Sequence, residues 1–99
     1  MAAPFDLEEE ARKLIGFNTV TWNTNADCAV YIGSLMRKLG LEVSYQEAQV
    51  GEVLFFNVVG LFGSGKNPFL WVTHLDTVDP GEARWWTKTG GDPWKLKTT

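Results

Sequence analysis

The chain has 99 residues, 44% of them hydrophobic and 21% charged, with nine Lys and Arg against twelve Asp and Glu. A hydrophobic share near the globular norm of about 45–50% excludes a disordered or collagen-like chain, and five Trp among 13% aromatics call for a packed interior. The net charge of −3, with no local basic cluster, excludes a strongly basic nucleic-acid binder.

The first element reads as a helix capped by Asp6, with Glu8, Glu9 and Glu10 matched to the positive end of the helix dipole. Leu7, Ala11, Leu14 and Ile15 recur at helical spacing and Gly16 stops the run. The acidic triplet is a solvated first turn rather than a metal patch. Residues 17–24, rich in Thr and Asn, read as a loop. A second helix is expected from its cap Asn25 to Leu39, with Ala29, Ile32, Leu35, Met36 and Leu39 on one apolar face. Arg37 and Lys38 suit its carbonyl end, and Gly40 follows as a stop. Cys28 lies beside the apolar face and reads as a small core residue rather than a nucleophile. A single Cys excludes an internal disulfide framework and a Cys-rich zinc finger, and a single His cannot build a multi-histidine metal site by itself.

From Leu41 the period changes. Leu41, Val43 and Tyr45 alternate with Glu42, Ser44 and Gln46, the pattern of a half-buried strand. Gly51 breaks that run, and residues 53–62 form a second, nearly continuous apolar strand. Residues 63–68 are turn chemistry, read as a hairpin turn. Residues 69–73, apolar throughout, are expected to be a third and central strand covered on both faces. Beyond Asp79-Pro80-Gly81 no period survives, and Trp85, Trp86 and Trp94 are expected to pack against protein outside this chain rather than line a substrate pocket. The predicted class is α/β, with helices packed on a mixed β-sheet. No helix follows the third strand to cover its other face, which suggests part of a larger domain. The acidic start carries no secretory signal and no apolar run is long enough to span a bilayer, so a soluble, cytoplasmic protein without membrane contact is expected.

Two local patterns bear on chemistry. Gly60-x-x-x-x-Gly65-Lys66-Asn67 nearly spells a phosphate-binding loop. Asn67 replaces the hydroxyl residue that holds magnesium, and Pro68 with a β-type run stands where the helix should begin, so a plain turn accounts for it. The second pattern is His74-Leu75-Asp76 at the end of an apolar run. In extended backbone, residues two apart project to one side, so His74 and Asp76 share a region. A neutral imidazole binds zinc through one nitrogen while donating its other N–H to a carboxylate. The same spacing also suits a lone His at a strand end with a capping Asp.

The stretch His74-Leu75-Asp76-Thr77-Val78-Asp79-Pro80-Gly81 resembles the histidine–x–aspartate signature of the zinc-dependent aminoacylase and carboxypeptidase family, which includes acetylornithine deacetylase and succinyl-diaminopimelate desuccinylase. Leu14-Ile15 with Asn18-Thr19-Val20 is similar to that family's first helix and following loop. Leu39-Gly40-Leu41-Glu42-Val43 resembles its entry into the sheet, and Asn57-Val58-Val59-Gly60 the strand before its glycine turn. Trp86-Thr87 and Asp92-Pro93-Trp94-Lys95-Leu96 look like the segment after its metal histidine, so the resemblance runs in order along nearly the whole chain.

The resemblance implies that residues 1–99 are the N-terminal part of a single metallohydrolase catalytic domain. It implies His74 as a ligand in a two-zinc site, with cobalt or manganese as alternatives, and Asp76 as the catalytic carboxylate that orients it. It further implies hydrolysis of N-acyl amino acids or small peptides by metal-activated water, a lid or dimerisation domain elsewhere, and a homodimer as one form of the complete protein. The family's bridging aspartate, glutamate pair and distal histidine have no counterpart here, and Asp79, Glu82 and Asp92 do not stand in their places. The chain alone is therefore expected to be inactive. The alternative is a non-catalytic binding or assembly module that keeps the fold and pairs through its Trp-rich C-terminal surface.

Overall fold

The computed structural model describes residues 5–98, so the reading of the first four residues as no signal lies outside it. Two helices, α1 (Leu7–Ile15) and α2 (Ala26–Lys38), precede two strands, β1 (Glu42–Val50) and β2 (Val53–Leu61). Two 3₁₀ turns, Ala83–Trp85 and Thr87–Thr89, follow in the C-terminal segment. The result is a small α/β arrangement around one antiparallel hairpin. Among the described residues no helix is long and apolar enough to cross a membrane.

The start of α1 follows its sequence closely. The Asp6 carboxylate accepts from the Glu9 N–H at 3.1 Å, and Arg12 reaches back to Glu8 at 3.1 Å. No residue of α1 is fully buried. It is held to α2 through Tyr31, whose hydroxyl donates to Glu10 and whose ring lies 5.8 Å from that of Phe17 and 5.7 Å from the Lys13 ammonium. Glu10 is thus the member of the acidic triplet with a tertiary role.

The bond to Glu10 raises the Tyr31 pKa above its ordinary 10.0, with desolvation acting the same way. A raised value in the folded state means that the bond stabilises fully below the ordinary pKa and is lost as pH climbs through the folded one. Glu10→Gln is expected to let Tyr31 ionise at lower pH, read from tyrosinate absorbance. An unchanged titration would show that Glu10 does not hold the hydroxyl.

The hairpin explains Gly51. Val50 pairs with Val53, leaving Gly51-Glu52 as a two-residue turn, and Gly51 has φ +62°. Only glycine takes that first turn position without steric cost. The hairpin turn therefore lies at 51–52, and residues 63–68 do not connect two paired strands.

Helix α2 packs on the hairpin through its smallest side chains. Ala29 is fully buried, Cys28 is 5% exposed, and Gly33 is buried too. A Cβ on Gly33 would strike the Tyr45 hydroxyl and come within 2.7 Å of its Cζ, so the bare backbone is what admits that ring. Tyr45 in turn meets Phe56 edge-on across the strands, at 6.4 Å and 84°, a geometry favoured by aromatic quadrupoles.

Asn25 departs from its expected role. It stands at the N-cap of α2 but makes no side-chain cap bond. Its amide instead donates to the Phe56 carbonyl and accepts from the Phe56 N–H, both at 2.8 Å. Phe56 lies opposite Glu47 in the ladder, and these two groups face the open edge of β2, so the Asn25 side chain acts as a one-residue substitute for a third strand. Thr24 completes the arrangement, its hydroxyl donating to the Leu54 carbonyl at 2.5 Å and accepting from Ala26 N–H at 3.2 Å.

The expected third strand is not formed. Residues 69–73 form no strand and no ladder pairing, and Phe69, Leu70, Trp71 and Val72 are between 76% and 85% exposed. The sheet is accordingly two-stranded and antiparallel rather than mixed. The apolar run demands burial, yet no described element lies against it, and a strand is stable only where its backbone finds a partner. Trp85 is likewise 64% exposed, whereas Trp86 is 38% exposed and its indole N–H donates to the Pro80 carbonyl at 3.0 Å.

Candidate functional site

His74 and Asp76 lie in the irregular segment after residue 73, with side chains 81% and 63% exposed. The structure brings them together. His74 Nδ1 is 2.9 Å from the Asp76 carbonyl oxygen and 3.3 Å from Asp76 Oδ1. A carbonyl oxygen only accepts, so Nδ1 carries the proton, and in the neutral ring the lone pair then resides on Nε2. That is the tautomer a metal-binding imidazole needs when its second nitrogen is held by oxygen.

The carboxylate is the lesser of the two contacts. The main-chain carbonyl is closer, and no side-chain substitution removes it. Asp76→Ala is therefore expected to weaken any metal affinity or activity that depends on His74 by about tenfold, the lower end of the 10–100-fold range for such partners. Equality with the wild type would reduce Asp76 to a local cap.

Among the described residues, hydrogen bonds to the α1–α2 connection fasten the segment at one point. Thr77 N–H donates to the Thr19 carbonyl at 2.9 Å, and the Thr77 carbonyl accepts from the Thr21 N–H at 3.0 Å and the Thr21 hydroxyl at 3.1 Å. These bonds form an isolated parallel bridge between Val20 and Thr77. The Thr19–Val20 ribbon is well set to hold it, being 6% and 4% exposed. Asn18 fixes the ribbon's far side, its side-chain Oδ1 accepting from Val20 N–H at 3.3 Å and from the Asn23 side-chain amide at 3.0 Å. A loop is what the Thr and Asn content of residues 17–24 suggests. The bridge itself runs through main-chain groups, which leave no mark in the sequence.

Behind the ribbon, a shallow cavity of about 330 Å³ is lined by Asn18, Thr19, Asn23, Asp27 and Cys28, among others. Burial pushes the Cys28 thiol pKa up, which leaves it protonated and a poor nucleophile. This agrees with its reading as a core residue.

The downstream acids serve local turns. Asp79 Oδ1 accepts from the Gly81 N–H and Asp92 Oδ1 from the Trp94 N–H, each at 2.8 Å, while Glu82 pairs with Arg84. Among the described residues no group of three His, Cys, Asp or Glu side chains converges as a metal cage. The donor set at His74 fits one zinc ligand with its orienting partner, and the other donors of such a site would have to come from elsewhere. In comparisons with known protein families, curated proteins and solved structures, the chain matches none.

Proposed function

We propose that the chain contributes the histidine arm of a zinc-dependent amidohydrolase of the aminoacylase and carboxypeptidase type, acting on N-acyl amino acids or small peptides. One observation carries the reading: His74 Nδ1 is engaged by two oxygens of Asp76 while the ring stays exposed, leaving Nε2 as the free donor. The ordered resemblance along the chain supports it. In this reading His74 gives its Nε2 lone pair to the metal, and Asp76 holds the Nδ1–H and so keeps the ring basic and fixed. When bound, zinc polarises an amide carbonyl and lowers the pKa of water. With one imidazole in 99 residues, the remaining ligands and the general base come from outside them, and the chain alone is inactive.

The test is an assay of the zinc-loaded protein from its native source against a panel of N-acetyl and N-succinyl amino acids, with metal content measured in parallel. Hydrolysis with two zinc ions per complete protein is expected. Absence of both zinc and turnover would refute the proposal. A second reading, a non-catalytic assembly module, is favoured by the exposure of Phe69, Leu70, Trp71 and Val72. It calls for a stable complex with another chain and for no turnover after zinc loading.

A further inference from the structure

We infer that the Asp76–Thr77 peptide unit orients His74, and that Thr21 is the positioning side chain that pins it from the adjoining Thr77–Val78 unit, whose carbonyl accepts from the Thr21 hydroxyl. The inference rests on the metal-ligand reading of His74 given above.

The Asp76 carbonyl and the Thr77 N–H belong to one planar, rigid amide. At one end its oxygen accepts the His74 Nδ1–H at 2.9 Å, and at the other its N–H donates to the Thr19 carbonyl at 2.9 Å. Any rotation of that plane moves the imidazole's partner, so fixing the plane fixes the ring. Bonds arranged in such a chain also polarise one another, which strengthens the grip on Nδ1–H.

The anchoring is confined to this point. Among the described residues, the hydrogen bonds that tie residues 69–79 to the α1–α2 connection all run through Thr77. Two of them are main-chain bonds, while the third comes from the Thr21 hydroxyl onto the Thr77 carbonyl. That carbonyl has two lone pairs, so it takes both Thr21 donors without competition. Thr21 is itself exposed and its neighbours Thr19 and Val20 are buried, so its hydroxyl can be removed without opening the core.

The single histidine of the chain makes the test clean, because every imidazole resonance belongs to His74. The 99-residue chain is studied by ¹⁵N-detected imidazole spectroscopy under conditions that keep the ring neutral, and zinc affinity is measured on the complete protein. The variants are Thr21→Val, which keeps the β-branch but loses the hydroxyl, and Thr21→Ser, which keeps the hydroxyl. In wild type the Nδ1–H tautomer is expected to dominate. Thr21→Val should lower its share and weaken zinc binding by the complete protein about fivefold, roughly what one net hydrogen bond is worth. Thr21→Ser should restore both, which a merely structural role for the side chain would not produce.

A Thr21→Val spectrum and zinc affinity equal to wild type would overturn the inference. If His74→Ala leaves the zinc content of the complete protein unchanged while the tautomer in the 99-residue chain still responds to Thr21, the positioning stands and the metal-ligand reading fails instead.

Discussion

His74→Ala is expected to abolish zinc-dependent hydrolysis in the complete protein and to lower its zinc content. The substitution removes the one imidazole of the chain, and losing a direct ligand must cost more than the 10–100-fold lost with a partner that only orients one. Stability should hardly change. The His74 side chain is 81% exposed, and surface substitutions of that kind usually stay within about 0.5 kcal/mol. The expected signature is therefore lost activity with an unchanged melting curve, which separates a ligand from a folding residue. Turnover above a tenth of the wild-type rate would remove His74 from the metal site. Asp76→Ala gives the internal standard, since it leaves the carbonyl contact to Nδ1 in place.

Asn25→Ala is expected to have the largest effect on folding, lowering stability by about 2 kcal/mol. Leaving a buried donor or acceptor without a partner costs about 1–3 kcal/mol, and this change strands both the N–H and the carbonyl of Phe56. The site is only partly buried, so water recovers some of the loss. Helix capping contributes little to the difference, because the Thr24 hydroxyl still takes the Ala26 N–H. Asn25→Asp should fare no better than partway, keeping the acceptor for Phe56 N–H while setting a charge against the Phe56 carbonyl. A denaturant titration reads the result as a shifted midpoint at constant slope. A shift worth under about 0.5 kcal/mol would show that water satisfies this edge as well as Asn25 does.

The helices were legible because their signals are local. Asp6 sits one residue before α1 and caps it as expected, and the apolar spacing from Ala29 to Leu39 fits α2 at Ala26–Lys38 within a residue at each end. The alternation from Leu41 to Gln46 likewise marks β1, although the strand continues to Val50. Pairing was not legible. An apolar run such as Phe69–Val72 states that burial is wanted, but its covering element must come from another part of the fold, and local spacing does not name it. Asn25 shows the same limit in reverse. A cap-type residue at a helix start carries one side chain for two uses, and here the strand edge takes it.

The candidate site divides along similar lines. The spacing of His74 and Asp76 was enough to place them together. That the closer oxygen is the main-chain carbonyl of Asp76, that Thr19 holds the same peptide unit and that Thr21 holds the next one, depends on backbone groups common to every residue.

The unpaired, exposed segment from Phe69 to Val72 has a consequence for the behaviour of the chain in concentrated solution. Four successive apolar residues with open backbone donors and acceptors are the ingredients from which cross-β stacks form between identical chains. Pro68 just before the run and Lys66 two residues further back act as gatekeepers, since proline breaks a ladder and stacked ammonium groups repel. Their protection is one-sided. On the other flank the nearest fixed charge is Asp76, four residues past Val72, so self-association should begin from the Trp71–Val72 end and grow with the salt that screens this acidic chain.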